Sequence, residues 1–573
     1  MKSYSELLKT KNRDYSSFEK IDLALLCDSS CQFLSKTIHG TGADHSFNIS
    51  VWEAPINQIE NQIYNPSSDF NLKSFQTAVI FESSHSLLKE YSLLDSKSNF
   101  AELQFSRIKK YTDYIINSSQ INIIFFNFYE INDYVFGNFS SKNKNSFIFQ
   151  LRKLNFLISE NFSNINRLSI LDISSIQNTI GLNKMFDSSL YINYGIILSL
   201  GSLPFVSKNI IDIILVQNSI FKKCLILDLD NTLWGGIIGD DGIENIELGD
   251  LGIGKSFIEF QIWIKKLKER GIIICVCSKN NEDVAKNVFI NHPDMILKLE
   301  DISLFIANWD SKVDNIKKIQ KVLNIGFDSI VFLDDNPYER NSVLENIPNI
   351  TVPELPKDPS NYLSFLYKEN LFETISISSL DKNRTNLYRT EYERLKSKSI
   401  YTDLSNYMKS LEMTSKVEFL NKFNIPRASQ LSYRSNQFNL RTIRYSEEKL
   451  NKIMNTKTYY GLVFDLNDKF GSHGIVSYLI LNQISSKEIF IENWAMSCRV
   501  LERGMEQYIL NYIYEFCKKN GYISITAEYI KTKKNIIVEN LYKKLGFIKF
   551  QGNYQLNLNK KNYLKTHIKI NNE

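Results

Sequence analysis

The sequence has no run of about 18 apolar residues free of charge, so no membrane-spanning helix and no membrane partner are expected. It has no Cys-x-x-Cys pair and no Cys/His cluster, which removes a zinc site from consideration. The 7 cysteines are scattered and odd in number. No apolar segment stands behind Met1-Lys2-Ser3-Tyr4-Ser5-Glu6, so the cysteines read as reduced thiols of a cytoplasmic protein. A net charge of +5 over 573 residues, with no long basic block, argues against a nucleic-acid surface. Proline is scarce at 10, and three of them fall in Val352-Pro353-Glu354-Leu355-Pro356-Lys357-Asp358-Pro359, the clearest domain boundary in the chain.

What is present is ordinary globular material: 43% apolar and 23% charged residues, in a chain long enough for three or four domains of about 150 residues. Its centre is Lys223-Cys224-Leu225-Ile226-Leu227-Asp228-Leu229-Asp230-Asn231-Thr232-Leu233-Trp234. The apolar run reads as a buried strand of a parallel sheet, and the polar residues as the loop at its carboxyl end, where open α/β sheets bind ligands. Two carboxylates so close repel, and a hard cation such as Mg²⁺ between them would relieve this. For this pair alone, a strand followed by an Asp-rich turn is the plain alternative.

A second strand, Gly271-Ile272-Ile273-Ile274-Cys275-Val276-Cys277, ends in Ser278-Lys279-Asn280. Ser278 offers a hydroxyl to a phosphoryl oxygen. Lys312, before a helical stretch at 313–323, can neutralise a phosphate and a carboxylate together. Another strand, Ile330-Val331-Phe332-Leu333, ends in Asp334-Asp335-Asn336-Pro337. Acid pair, hydroxyl, lysine and acid pair, each at an element end, resemble the haloacid-dehalogenase (HAD) superfamily. Trp234-Gly235-Gly236, Gly239-Asp240-Asp241-Gly242, Glu247-Leu248-Gly249, Asn436-Gln437-Phe438-Asn439-Leu440 and Ser497-Cys498-Arg499-Val500-Leu501 are similar to its FkbH-like branch.

The resemblance implies that Asp228 attacks phosphorus and that Asp230 is the general acid. It implies that Ser278 and Lys312 bind the phosphoryl oxygens. Mg²⁺ is then expected on Asp228, the Asp230 main-chain carbonyl and Asp334, with Asp335 in support. FkbH-like proteins are associated with loading glyceryl units from 1,3-bisphosphoglycerate onto acyl carrier proteins, which makes such a carrier the expected partner in specialised-metabolite or polysaccharide biosynthesis. Cys277, beside Ser278, is the first candidate for a transient acyl thiol; its alternative is a small buried apolar residue. A plain phosphatase of small phosphoesters and a carrier-binding scaffold are the competing readings. About 50 residues separate Asp228 from Ser278, which leaves a flap around Trp234 but no room for a large cap.

The fold class expected is α/β: a doubly wound HAD domain (219–358) between an N-terminal SGNH/flavodoxin-like α/β domain (1–218) and, after a helical connector (359–411), a GNAT-like α+β domain (412–573). Strands are expected at 21–27, 77–81, 121–128 and 167–173. The first ends in Asp28-Ser29-Ser30, and a serine there resembles the nucleophile of SGNH-type esterases. His39, His45 and His85 all precede the last strand, so no late histidine base is available and the domain reads as non-catalytic, for docking. The C-terminal part resembles GNAT acyltransferases in element order and in Asn540-Leu541-Tyr542-Lys543-Lys544-Leu545-Gly546-Phe547. That resemblance implies a coenzyme A or phosphopantetheine site with Arg499, Arg503, Gly504 and Tyr542. Glu502 stands where its pyrophosphate signature has a first glycine, which disfavours free coenzyme A.

Overall fold

The computed structural model describes residues 2–12, 14–376, 394, 403–550, 552–559 and 563–570. It divides into two compact units, residues Met1–Asn218 with Tyr367–Ser376, and Ser219–Leu366 with Ile377–Glu573. Among the described residues no helix is long and apolar enough to cross a membrane.

The first unit is built on five parallel strands: β1 (Glu19–Cys27), β2 (Phe47–Glu53), β3 (Thr77–Phe81), β4 (Asn122–Phe126) and β5 (Leu168–Leu171). Their order, β2-β1-β3-β4-β5, is that of a flavodoxin-like doubly wound sheet. β3 is buried throughout, as expected where helices cover both faces. β2 is the strand the sequence reading misses. It lies at the sheet edge and keeps only alternate residues fully buried. Residues 367–376, read from sequence as part of the 359–411 connector, belong to this unit, where Asn370 Nδ2 donates to Asp212. Most of the remaining connector, 377–393 and 395–402, lies outside the described residues.

The second unit holds two sheets. The first has the parallel order β8-β7-β6-β9, with β6 (Cys224–Leu227), β7 (Ile273–Ser278), β8 (Leu304–Ala307) and β9 (Ile330–Leu333). β6, β7 and β9 are buried throughout. Helices Gly254–Glu269, Glu282–Asn291 and Lys312–Leu323 make the crossovers, and Pro337–Asn346 follows β9. Local chemistry fixes where two of them begin. Asn281 Oδ1 accepts from the Asp283 and Val284 amides, and Asn336 Oδ1 accepts from the Tyr338 amide with Pro337 at the first helical position.

The second sheet comprises β10 (Thr414–Ser415), β11 (Val417–Phe419), β12 (Tyr459–Asp468), β13 (Gly471–Gln483), β14 (Glu488–Met496), β15 (Ser524–Ala527), β16 (Ile548–Phe550), β17 (Asn553–Asn557) and β18 (Lys569–Ile570). It is antiparallel except for the β14/β15 and β10/β18 pairs. Helix Met505–Lys519 crosses between β14 and β15, the GNAT-like arrangement expected. Two helices the sequence reading misses, Ile425–Arg434 and Glu447–Met454, lie between β11 and β12.

Candidate active site

The carboxyl ends of β6, β7 and β9 converge on one constellation. Asp228 follows β6, Ser278 ends β7 and Asp334 follows β9, while Lys312 opens the helix after β8. Lys312 Nζ lies 2.8 Å from Asp228 Oδ2 and 2.6 Å from Asp334 Oδ2. Burial works against the lysine charge, but the two carboxylates outweigh it and hold the ammonium above its ordinary value. Burial, then the nearby Asp228 charge, pushes Asp334 up to about 7 and raises Asp335.

Oxygens of Asp228, Asp334 and Asp335 lie within 4.8 Å of one another. Asp228 Oδ1 is buried and has no hydrogen-bond partner among the described residues. Three carboxylates against one ammonium, with an orphaned buried oxygen, suit a hard divalent cation bound through oxygen. The Asp230 carboxylate is not in this trio. Its Oδ1 accepts from Trp234 Nε1 (2.9 Å) and the Ile238 amide (3.1 Å), and its Oδ2 from Asn280 Nδ2 (2.9 Å).

Asn280, to which the sequence reading gives no role, also donates to Ser278 Oγ at 3.1 Å. It therefore bridges the Asp230 carboxylate and the Ser278 hydroxyl. Its signal was present in Ser278-Lys279-Asn280, an amide two residues beyond the hydroxyl at a strand end. Arg340, also missed, donates from Nη1 to the main-chain oxygens of Asp334 and Asp335 at 2.9 and 2.5 Å and holds the acidic turn.

The flap is small. Between β6 and helix Gly254–Glu269 lies only one four-residue helix, Ile238–Asp241. Asn231 adopts a left-handed φ of 55°, accepts from the Gly236 amide at Oδ1, and accepts from Tyr362 at its main-chain oxygen. Gly236 has a φ of 92°, and a Cβ there would meet Asp241 Oδ2 at 2.6 Å, so glycine is required. Trp234 is fully buried and serves the flap core rather than a ligand.

Cys277 does not fit the acyl-thiol expectation. Neighbouring residues of a strand face opposite ways. Ser278 faces the site, and Cys277 packs into the apolar cluster of Cys224, Cys275, Leu304 and Ile316. Burial pushes its thiol well up, so the thiolate needed for acyl transfer is suppressed.

The four residues assigned to a coenzyme site are not gathered on one. Arg503 is buried and lies 3.3 Å from Asp468 Oδ2 and 3.2 Å from His473 Nε2. Tyr542 is 1% exposed, packed on Phe547 and Tyr554. Gly504 does cap helix Met505–Lys519, with a φ of 80°, and its main-chain oxygen accepts from Thr566 Oγ1. Arg499 Nε donates to Ser497 Oγ. Glu502 keeps a φ of 62°, the conformation that favours glycine.

β14 and β15 pair only over 488–491 and 524–527. Beyond that, the chain's own residues 438–440 lie between the parting strands. The Leu440 amide donates to Trp494 O, the Met496 amide to Phe438 O, and the Ile530 amide to Leu440 O. Arg441 joins Glu492 and Glu528 across the same gap. These edge groups are thus satisfied internally and are not open to a bound arm.

In the first unit, Ser29 Oγ is buried and no histidine hydrogen-bonds to it. His85 Nδ1 instead meets Tyr129 Oη at 2.7 Å. Asp28 accepts from the Ser83 amide and hydroxyl, and burial pushes it up to about 6.

A family model described as the FkbH N-terminal domain matches residues 22–215. The solved N-terminal part of the protein BF1531 from Bacteroides fragilis, which contains a phosphatase domain complexed with Mg, is 48% identical; it covers 66% of this chain and 100% of that chain, with a TM-score of 0.63. A HAD-like hydrolase superfamily protein of Schizosaccharomyces pombe (strain 972 / ATCC 24843) is 26% identical over 178 residues, 26% of this chain and 96% of the relative. The ribosomal-protein-S18-alanine N-acetyltransferase of Escherichia coli matches 25% of this chain and 89% of its own at 16% identity, with a TM-score of 0.19. That last likeness carries no weight beside the strand order of the second sheet. The chain belongs to the FkbH-like proteins of the HAD superfamily, a phosphatase enzyme with a GNAT-like domain.

Proposed function

We propose that the enzyme is Mg²⁺-dependent and uses Asp228 as its nucleophile. The observation that carries this is the buried, unpartnered Asp228 Oδ1 beside Asp334 and Asp335. Asp228, Asp334 and Asp335 would hold the ion, which supplies positive charge to the reacting phosphoryl oxygens. Asp228 attacks phosphorus and the bond to the leaving oxygen breaks. Asp230, oriented by Trp234, Ile238 and Asn280, delivers the proton to that oxygen. Ser278 Oγ and Lys312 Nζ take the equatorial phosphoryl oxygens, and this placed positive charge is most of what phosphoryl transfer requires. Water then attacks the aspartyl phosphate, with Asp230 accepting its proton.

The finer reading is transfer: the phosphopantetheine thiol of an acyl carrier protein displaces the acyl phosphate of 1,3-bisphosphoglycerate, forming a thioester and releasing inorganic phosphate, and the 3-phosphate is passed through Asp228 to water, which leaves a glyceryl unit on the carrier. The FkbH-like resemblance suggests it, and the short flap, which leaves the site open to a macromolecule, favours it over a small free acceptor. The acceptor thiol is the carrier's, since Cys277 is buried in the core.

Two measurements test these readings separately. Phosphate release from a phosphomonoester should stop on chelation and return with Mg²⁺; release undiminished in chelator overturns the metal-dependent reading. Intact mass spectrometry of a holo carrier incubated with enzyme and 1,3-bisphosphoglycerate should show a glyceryl adduct. Phosphate release without any adduct leaves the plain phosphatase.

A further inference from the structure

A second polar site stands at the other end of the HAD sheet. Lys223 immediately precedes β6, and residues 324–329 lead into β9, whereas Asp228 and Asp334 follow the carboxyl ends of the same strands. Strands of this length put roughly 15 Å between the two ends. The GNAT-like domain supplies the facing wall from helix Ile425–Arg434, residues 435–437, the chain just after β14, and residues 533–534. Asn324 Nδ2 donates to Cys498 O at 2.6 Å, Asn436 Nδ2 to Ser219 O at 3.3 Å, and Ser219 Oγ to Tyr433 O, so the walls are joined by direct hydrogen bonds.

The cleft has a volume of about 320 Å³. Lys223, Arg427, Arg434, Arg499, Lys533 and Lys534 line it, against the one lining carboxylate, Asp328. Cations gathered on concave walls focus a positive potential, and their mutual repulsion falls when a multivalent anion enters. The neutral lining groups, Ser219, Ser435, Asn436, Gln437 and Ser497, add hydroxyl and amide donors. Arginine forks with such donors match phosphate oxygens better than a single carboxylate. Arg499, the first residue of the coenzyme signature, lines the cleft, whereas Arg503, Gly504 and Tyr542 do not, so the helix start to which that signature points lies outside it.

We propose that this cleft binds a phosphate-bearing ligand, independently of the phosphoryl pocket at Asp228. The ligand is either a free phosphorylated molecule or the phosphate of a prosthetic arm, which present the same oxygens.

The test is calorimetric titration of the full chain with inorganic pyrophosphate in metal-free buffer. There the acid site, with three carboxylates against one ammonium, repels anions. The wild type should bind saturably and more weakly as salt rises. The exposed double variant Lys533→Glu/Lys534→Glu, and separately Arg434→Gln, should weaken binding by about tenfold or more, about 1.4 kcal/mol. Both should retain phosphomonoester hydrolysis in Mg²⁺, which shows that they fold. No saturable binding by the wild type, or unchanged affinity in both variants, overturns the proposal. A parallel titration with 4′-phosphopantetheine assigns the source: tighter binding than pyrophosphate selects the arm, weaker binding the free molecule.

Discussion

Lys312 Nζ lies 2.6 Å from Asp334 Oδ2, and both side chains are buried, at 5% and 0% exposure. The same ammonium also holds Asp228, so it is the counterion of two acids besides its proposed phosphoryl contact. Removing one member of a buried ion pair costs about 3–5 kcal/mol, because the other charge stays buried. Lys312→Met should therefore lower the unfolding midpoint in metal-free buffer and reduce turnover by about a hundredfold or more. Thermal melts followed by circular dichroism measure the first, and an unchanged midpoint contradicts the role given to Lys312.

Asn280 is a positioning residue, holding Asp230 and Ser278 through one amide. A hydrogen bond to a charged group is worth about 1.5–3 kcal/mol, so Asn280→Ala should lower kcat by roughly tenfold to a hundredfold. The loss should depend on the leaving group, being greatest for poor ones, if Asp230 supplies the proton as proposed. Equal losses for aryl and alkyl phosphates would show that Asn280 does not act through Asp230.

Cys277→Ala should leave hydrolysis within a few fold of wild type. The cost should fall on stability, about 1–2 kcal/mol for a sulfur removed from a packed core. Loss of activity in a variant that melts normally would restore the thiol to the chemistry.

His473 is buried between Asp468 and Arg503, and burial is the main cause that pushes its imidazole down to about 4 from 6.5. The unfolded chain takes up this proton near pH 6.5, and the folded chain only near pH 4. Stability is therefore fully present above about pH 6.5 and falls as pH drops toward 4, by on the order of 3 kcal/mol. Hydrogen bonds from His473 and Arg394 hold the Asp468 carboxyl below its usual range despite burial, so its own contribution is lost only under more acidic conditions. Unfolding midpoints compared at pH 7 and 5 check this, with His473→Gln expected to flatten the difference. An equal pH dependence in both proteins contradicts the assignment.

The acids at the ends of β6 and β9, Ser278 and Lys312 were legible because each is a polar residue closing or following a fully apolar strand, a pattern carried by adjacent residues. Strand alternation already opposes Cys277 to Ser278, so adjacency in sequence does not give the thiol access to the site. β2 lacks a strong local period, whereas helices Ile425–Arg434 and Glu447–Met454 do carry an amphipathic one that the sequence reading passes over. Helix Ile425–Arg434 carries Arg427, Gln430 and Arg434 among its apolar residues. Arg503 was read from its place before a helix, and nothing local reveals Asp468, 35 residues away. The insertion of residues 438–440 between β14 and the chain beyond β15 was likewise invisible. It depends on three segments that meet only in the fold.

The central claim is that Asp228 becomes phosphorylated. Acid quenching during turnover, followed by peptide mass spectrometry, tests it most directly, since acyl phosphates survive at low pH. The account predicts one phosphoryl group on the peptide containing Asp228 in the wild type, and neither adduct nor turnover above about one-hundredth of wild type in Asp228→Asn. Steady turnover in Asp228→Asn, or a phosphoryl group trapped on a different residue, would contradict it.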